Sequence, residues 1–247
     1  MARERIVHDE HEPCPYLPGR TARMPLRWQL DPLSPEEVDR SLDRGDRRVG
    51  QMLYQTSCPE CHACEPLRIP VSEFRATDSQ RRVMRKNKDV RVMIGPPSVS
   101  DEKLALFNRH KLERGLARRE QAMTKDGYAA WFLRTCNRTV EMQYLVGERL
   151  VGVGIVDLGG RSLSSVYFYF DPDEGKRSLG TFSVLAELAW WRRQKGRYHY
   201  LGLYVEDCRH LVYKARFFPH ERRVGGVWTR FPAASQPENS QGNAAPG

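Results

Sequence analysis

Apolar positions in this chain recur with two periods, and the places where the period changes mark its elements. Alternating runs at residues 24–30 and 49–56 predict strands, the second with Met52 and Tyr54 on one face. Between them, Ser34, Pro35 and Glu37 predict a helix start: a capping hydroxyl, a proline at the first helical position and a carboxylate three residues after the cap. That helix is expected to end near Gly45. Leu67, Ile69 and Val71 alternate and predict another strand. Residues 79–88, SQRRVMRKNK, predict a cationic helix, and residues 90–94 a short strand closed by Gly95-Pro96-Pro97, which reads as a boundary.

The second half predicts helices at 101–114, capped by Ser100, and at 128–134. Three strands follow at 139–146, 150–158 and 162–170, separated by the turn signals Gly147-Glu148 and Gly159-Gly160, so they form an antiparallel meander. Residues 180–194 carry Phe182, Leu185, Leu188, Ala189 and Trp191 at helical spacing. A strand at 198–205, a short helix at 209–216 and a last strand at 224–230 complete the order. The tail from Pro232 is low in complexity and is expected to be disordered. This is an α+β order, and its second half has the succession of an acetyltransferase-like (GNAT) fold. The expected division is a cysteine-bearing region at 1–95, a GNAT-like domain at 96–231 and a tail at 232–247.

Charge changes this picture by adding a partner. The 247 residues carry 40 basic and 31 acidic side chains, a formal +9, and the excess is clustered. Between Arg75 and Arg91, seven Arg or Lys face two Asp, which favours a polyanion such as nucleic acid. No apolar run is long enough to cross a bilayer and the N-terminus lacks a signal-peptide core, so a cytoplasmic protein with reduced thiols is expected.

Six cysteines in such a chain point to metal, redox or buried thiols. Cys58, Cys61 and Cys64 are spaced by two residues each, which lets their sulfurs turn toward one soft ion. Cys14 is the candidate fourth ligand, with His11 and His62 behind it. Cys136 and Cys208 read as core thiols. Lys176 and Arg177 precede Gly180 between a strand end and a helix start, where free N–H groups and a helix dipole suit a phosphate. Around Tyr198–Tyr204 and Tyr213, phenols are candidates for orienting an ester or a ribose hydroxyl, and Lys214 for meeting a phosphate. Asp157 ends the second meander strand, where a carboxylate facing a cleft would bind an ammonium or take a proton. The seven histidines show no metalloprotease spacing, and no Ser-His-Asp order stands out.

Taken together, the run Cys14-Pro15-Tyr16-Leu17, the knuckle CPECHACEPLRIPV, the helix SQRRVMRKNKD and the later segments GVGIVD, SVYFYFDP, YLGLYV and YKARFFP resemble the aminoacyl-tRNA–protein transferases of the N-degron pathway. The resemblance spans nearly everything from Cys14 to Phe231. Compact length resembles the bacterial branch, which transfers leucine to proteins beginning with Asp or Glu and so marks them for degradation. Longer eukaryotic relatives transfer arginine.

The resemblance implies aminoacyl-tRNA as donor, with Arg81, Arg82, Arg85, Lys86, Lys176, Arg177 and Lys214 as candidate contacts. It also implies an acidic N-terminus as acceptor, and Asp157, Tyr204 and Tyr213 as candidate catalytic groups. No cofactor is required by the reaction, while Cys14, Cys58, Cys61 and Cys64 would hold zinc or an iron–sulfur cluster. A lone Cys14 here, where eukaryotic relatives carry a pair, separates this chain from their metal site. An arginine donor would need a buried carboxylate, for which Asp157, Asp171, Asp173 and Glu174 are candidates. Two other classes remain: a metal-knuckle RNA-binding protein without catalysis, and a coenzyme A-dependent N-acetyltransferase using the loop before Gly180.

Overall fold

The structure, a computed structural model, describes residues 3–116 and 122–232; the expected tail beyond Pro232 lies outside the described residues. The first half runs β1 (Glu4–His8), β2 (His11–Pro13), β3 (Thr21–Arg23), β4 (Leu26–Gln29), α1 (Pro35–Arg44), β5 (Arg47–Val49), β6 (Met52–Tyr54), β7 (Glu65–Pro70), α2 (Asp78–Lys86) and β8 (Val90–Gly95). The second half has α3 (Asp101–Glu113), α4 (Lys125–Phe132), β9 (Arg138–Val146), β10 (Arg149–Leu158), β11 (Ser162–Phe170), a 3₁₀ turn at Pro172–Arg177, α5 (Leu179–Arg193), β12 (Tyr198–Tyr204), a 3₁₀ turn at Val212–Arg216, β13 (His220–Val224) and β14 (Val227–Phe231).

Local signals set most of these boundaries. Ser34 accepts a hydrogen bond from the Glu37 N–H, and the Glu37 carboxylate accepts one from the Ser34 N–H, so the expected capping box starts α1. Gly45 ends it in the left-handed region at φ 94°. A second capping box, Thr77 with Gln80, starts α2 one residue earlier than the charge run suggested. The single strand expected at 49–56 is instead the hairpin β5–β6. It turns at Gly50, whose φ is +56° and where a Cβ would sit 2.7 Å from the Ala130 carbonyl oxygen. The strand expected at 224–230 is likewise a hairpin, β13–β14, turning at Gly225-Gly226, both with positive φ. The helix expected at 209–216 is reduced to the second 3₁₀ turn.

The strands form a four-stranded sheet in the order β1-β4-β6-β5 and an eight-stranded sheet in the order β14-β13-β7-β12-β11-β10-β9-β8. The expected meander β9–β10–β11 is present and antiparallel. The eight-stranded sheet also takes in β7 and β8, which precede Gly95-Pro96. That dipeptide is therefore a turn out of the sheet, and a divide at residue 95 runs through one continuous ladder. The architecture is mixed α+β, and no helix among the described residues is long and apolar enough to cross a membrane.

Two layers of side chains bury the large sheet. On one face, α5 packs Leu185, Leu188 and Trp191 against Leu67, Ile69, Tyr144 and Leu163. On the other, α3 and α4 bring Phe107, Tyr128 and Phe132 onto Val153, Ile155 and Tyr169, while α1 sets Val38 and Leu42 on Tyr200. Each such buried side chain contributes about 1.5–3 kcal/mol of transfer free energy.

Between the two sheets lies a buried ion pair. Arg48 of β5 donates from Nε and Nη2 to the two oxygens of Asp157 of β10 at 2.6 and 2.9 Å, with both side chains 3% exposed. Thr139 Oγ1 donates to the same carboxylate at 2.7 Å, and Arg48 Nη1 donates to the Gly50 carbonyl at 2.9 Å. Asp157 thus holds the two sheets together. It does not face a cleft, which corrects the expectation that it takes a proton from an acceptor. Replacing it with Asn leaves Arg48 buried and unpaired. Asp157→Asn should lower unfolding stability by about 3–5 kcal/mol in urea denaturation; a loss below about 1 kcal/mol would show that the pair does not anchor the sheets.

Candidate active site where two parallel strands part

Among the described residues, β11 and β12 are the only parallel neighbours in the large sheet, and their pairing is brief. It covers Ser162 with Tyr198, Leu163 with His199, and Ser164 with Tyr200. Beyond that point each strand bulges. The register of β10 with β11 shifts at Ile155/Val156, leaving Val166 extra, and that of β12 with β7 shifts at Tyr200/Gly202, leaving Leu201 extra. Bulges bend strands and raise their twist. The two strands therefore diverge, and their facing N–H and C=O groups lose a ladder partner and need other ones.

On the α5 face, three polar side chains meet at the parting. Glu187 Oε2 accepts from the Ser165 hydroxyl and lies 2.9 Å from His199 Nε2, which is 2.8 Å from Ser165 Oγ. Glu187 and His199 are buried, whereas Ser165 is half-buried. The Glu187 carboxylate lies over Gly154 of β10, 3.7 Å from where a Cβ would stand. Ser165, Glu187 and His199 have the chain order of a hydrolase triad but not its geometry. A triad histidine bridges base and orienter through two different nitrogens, while here Nε2 faces both partners and Nδ1 has none among the described residues. What the cluster offers is a carboxylate and a hydroxyl at the mouth of the parting. Tyr213 lies close to Glu187. Burial first, and then the Glu187 charge, pushes its phenol up to about 12, so it stays a neutral donor.

On the opposite face, cations take over the lost ladder bonds. Arg47, next to the anchored Arg48, donates from Nη1 to Ser164 Oγ at 2.9 Å and from Nη2 to the Ser165 carbonyl at 2.7 Å. Lys214 donates from Nζ to the Leu203 carbonyl at 2.8 Å. One parted strand is thus satisfied by an arginine and the other by a lysine. Burial, and then the Arg47 charge, brings the Lys214 ammonium down to about 7. Gly202 makes the approach possible. Its φ is +85°, and a Cβ there would stand 2.9 Å from Arg47 Nη2.

The cysteine knuckle closes over this cationic side. Burial pushes the Cys64 thiol up to about 12, and the neighbouring Cys14, Cys58, Cys61 and Cys208 push the same way. The four thiols expected to act together are therefore neighbours. Cys208, read from the sequence as a core thiol, is buried beside them. The Leu17 and Arg23 N–H groups donate to Cys14 and Cys58 sulfurs at 3.4 and 3.5 Å. The chemistry of this set suits a soft ion, but among the described residues no three His, Cys, Asp or Glu side chains are placed to hold one.

The remaining expected contacts divide. Arg82, Arg85 and Lys86 are exposed on α2, and Lys176 is exposed before α5. Asn87 Nδ2 donates to the Arg177 carbonyl at 2.9 Å, so these cations belong to one surface beside the start of α5. Arg81 is exposed and paired with Asp78 at 2.6 Å. Arg177 does not present a free cation: it binds both oxygens of Asp89 at 2.8 and 2.9 Å and Glu174 at 2.6 Å. Lys214 points inward, not to a surface phosphate. Tyr204 is buried in the core with the Arg222 guanidinium 4.6 Å over its ring, which removes it from the parting.

Sequence reasoning missed Arg47, Ser165, Glu187 and His199. Glu187 had a visible signal: it shares the apolar stripe of α5 with Val184, Leu188 and Trp191, where a charge needs a reason.

Comparison with known proteins places these residues in a wider set. Residues 12–82 match the family described as arginine-tRNA-protein transferase, N terminus, and residues 102–224 match its C terminus. A protein named aspartate/glutamate leucyltransferase from Saccharophagus degradans is 33% identical over 226 residues, covering 89% of this chain and 93% of its own. Proteins of the same name from Gluconacetobacter diazotrophicus and Pseudomonas fluorescens are 34% and 31% identical, over 92% of this chain and 87% and 97% of theirs.

Gly202→Ala tests the parting directly. Strain at positive φ and the clash with Arg47 should cost at least about 1 kcal/mol, measured by thermal or urea unfolding. A variant as stable as the parent would mean that Arg47 is not held against this glycine.

Proposed function

We propose, from the premise that this chain belongs to the arginine-tRNA-protein transferase family, that it transfers leucine from Leu-tRNA to the N-terminal α-amine of proteins beginning with Asp or Glu. The product carries a leucine N-terminus that marks it for degradation. The observation that carries this reading is the two-sided parting of β11 and β12. An exposed basic surface lies beside α5, a carboxylate and hydroxyl stand on the same face, and cations line the other. The same parting, with α5 between the two strands in sequence, supports an acetyltransferase-like fold for the second half.

The chemistry needs little activation. The donor ester already stores the free energy, so positioning does most of the work. An α-amine has a pKa of about 7.7–8.0, and a sizeable share is neutral near neutral pH. As that nitrogen attacks the ester carbonyl, Ser165 takes its proton and passes its own to Glu187, leaving the chain of hydrogen bonds intact. The neutral Tyr213 phenol donates to the developing oxyanion. Collapse breaks the bond to the ribose oxygen, which takes the proton back from Glu187 through Ser165 to leave as a hydroxyl, and an amide remains. Neither ATP nor coenzyme A enters.

Leucine is favoured over arginine as donor by the state of the carboxylates. Asp157 is held by Arg48, Asp171 by Arg109 and Arg149, Asp173 by Arg109, and Glu174 by Arg149 and Arg177. Each of these four already has its cation, and the carboxylate at the parting, Glu187, is taken up by Ser165 and His199, whereas a leucine pocket needs only apolar walls. A coenzyme A pyrophosphate on the loop before Gly180 is disfavoured for a matching reason: Arg177 is occupied by Asp89 and Glu174.

Labelled Leu-tRNA and Arg-tRNA, offered in parallel to peptides beginning with Asp, Glu or Ala, decide the reading. Leucine should reach Asp- and Glu-first peptides without added nucleotide, and ribonuclease pretreatment should abolish it. Preferential arginine transfer, or equal transfer to Ala-first peptides, would overturn it; tRNA binding without any transfer would favour a non-catalytic RNA-binding protein.

Charge reversal of Arg82, Arg85 and Lys86 to Glu should weaken tRNA binding. It should also flatten the log–log salt dependence by about 0.7–0.9 per lost phosphate contact. Unchanged affinity and slope would make α2 a solvated face.

A further inference from the structure

Buried cations in this protein are, as a rule, matched to carboxylates. Arg48 pairs with Asp157, Arg68 with Asp43 and Glu221, Arg27 with Asp46 and Glu4, and Lys103 with Glu141. Arg47 and Lys214 break the rule together. Arg47 is 9% exposed, and its partners are a serine hydroxyl and a carbonyl. Lys214 is half-buried, and its partner is a carbonyl. Among the described residues neither has a carboxylate within ion-pairing distance. They also lie against adjacent residues of β12: Arg47 Nη2 stands 2.9 Å from where a Cβ on Gly202 would be, and Lys214 holds the carbonyl of Leu203. Two neighbouring desolvated cations without a counter-ion are costly, and the cost falls when an anion enters between them.

We infer that Arg47 and Lys214 form the pocket that reads the side-chain carboxylate of the acceptor's first residue. The inference rests on the proposed leucyl transfer and names the groups that give it its acidic selectivity. Position supports the acceptor over the tRNA as the source of the anion. The exposed cations suited to a phosphodiester chain, Arg82, Arg85, Lys86 and Lys176, lie on the α5 side of the sheet. Arg47 enters from the opposite side, on β5 of the smaller sheet, and reaches the gap between the strands at Ser165. Ser165 thus joins both halves of the site. Its carbonyl is held by the cation that binds the acceptor side chain, and its hydroxyl by the carboxylate that relays the amine's proton. An Asp or Glu residue whose side-chain carboxylate enters the cationic pocket has its α-amine two or three carbons away, at the parting.

Arg47's remaining N–H donors form a fork for a carboxylate, while the flexible Lys214 ammonium accommodates the difference of one methylene between Asp and Glu. An Asn side chain fills the same space but leaves the two positive charges uncompensated, so the pocket rejects it on charge, not shape.

The test measures equilibrium binding of Asp-first, Glu-first and Asn-first hexapeptides, and of Leu-tRNA, to the full chain and to its Lys214→Met and Arg47→Lys variants. Thermal melts confirm that each variant is folded. The parent should bind Asp- and Glu-first peptides about 10-fold or more tighter than the Asn-first peptide. Lys214→Met should remove most of that preference and leave Leu-tRNA affinity within about 2-fold. Should Arg47→Lys disturb folding through the Ser165 contact, Lys214→Met alone decides. An undiminished preference in a folded Lys214→Met variant overturns the pocket, as does a parent that binds Asp- and Asn-first peptides equally. A loss of tRNA affinity matching the loss of peptide affinity would assign the cations to phosphate and overturn it as well. Acid-selective binding that these variants lose, in a parent that transfers no leucine, would sink the proposed reaction while the pocket stands.

Discussion

The bidentate contact between Arg48 and Asp157 is the constraint on which the site depends. It places a charge from the small sheet inside the large one, with both partners dry and each guanidinium nitrogen hydrogen-bonded. Such a pair adds little net stability relative to an apolar replacement, yet breaking it is expensive. Its effect here is positional. Because successive residues of a strand point to opposite sides, pinning Arg48 to β10 fixes the direction of Arg47, and that direction is the gap between β11 and β12. The Arg-Arg dipeptide works as an anchor followed by a tool.

The gap itself is made by the backbone. A sheet of eight strands would bury an unbroken ladder, and the two bulges at Val166 and Leu201 interrupt it at one level. The exposed carbonyls of Ser165 and Leu203 then need donors, and cationic side chains supply them. A neutral donor would have satisfied the same carbonyls at lower desolvation cost. The use of an arginine and a lysine is what makes the gap electropositive. The same two side chains that satisfy the backbone are the ones inferred to recognise an anion.

The two faces of the sheet divide the work. Beside α5 are the exposed basic surface, the Ser165–Glu187 hydrogen bond and the Tyr213 phenol. Under the small sheet and the cysteine knuckle are the cations. Cys64, with Cys14, Cys58, Cys61 and Cys208 around it, walls the second side. In the proposed reaction, donor and acceptor entering from opposite faces would reach one carbonyl carbon without competing for one channel.

Much of this was legible in the residues alone. Caps and glycines marked α1 and α3, alternation marked the meander β9–β11, and a long set of motifs pointed to the transferase family. These are local or cumulative signals, carried by hydrogen bonds and side-chain periods within a few residues of each other. The sequence also showed the cationic run of α2 and the grouping of Cys14 with Cys58, Cys61 and Cys64. It did not show that Gly50 and Gly225-Gly226 are hairpin turns, because short strands such as β5 and β13 are rich in Arg and lack alternation. Nor did it show that β7 crosses from the first half into the middle of the large sheet. Asp157 was the clearest misreading: a carboxylate at a strand end looks the same in sequence whether it meets a substrate or Arg48, 109 residues away. Glu187, His199, Ser165, Arg47 and Lys214 became a site only when β11 and β12 parted beside α5. Sequence determined the elements and the family, since those depend on local propensity and pattern. Tertiary structure decided which charges are spent on one another and which are left for a ligand, because that is settled by desolvation and distance between segments far apart in the chain.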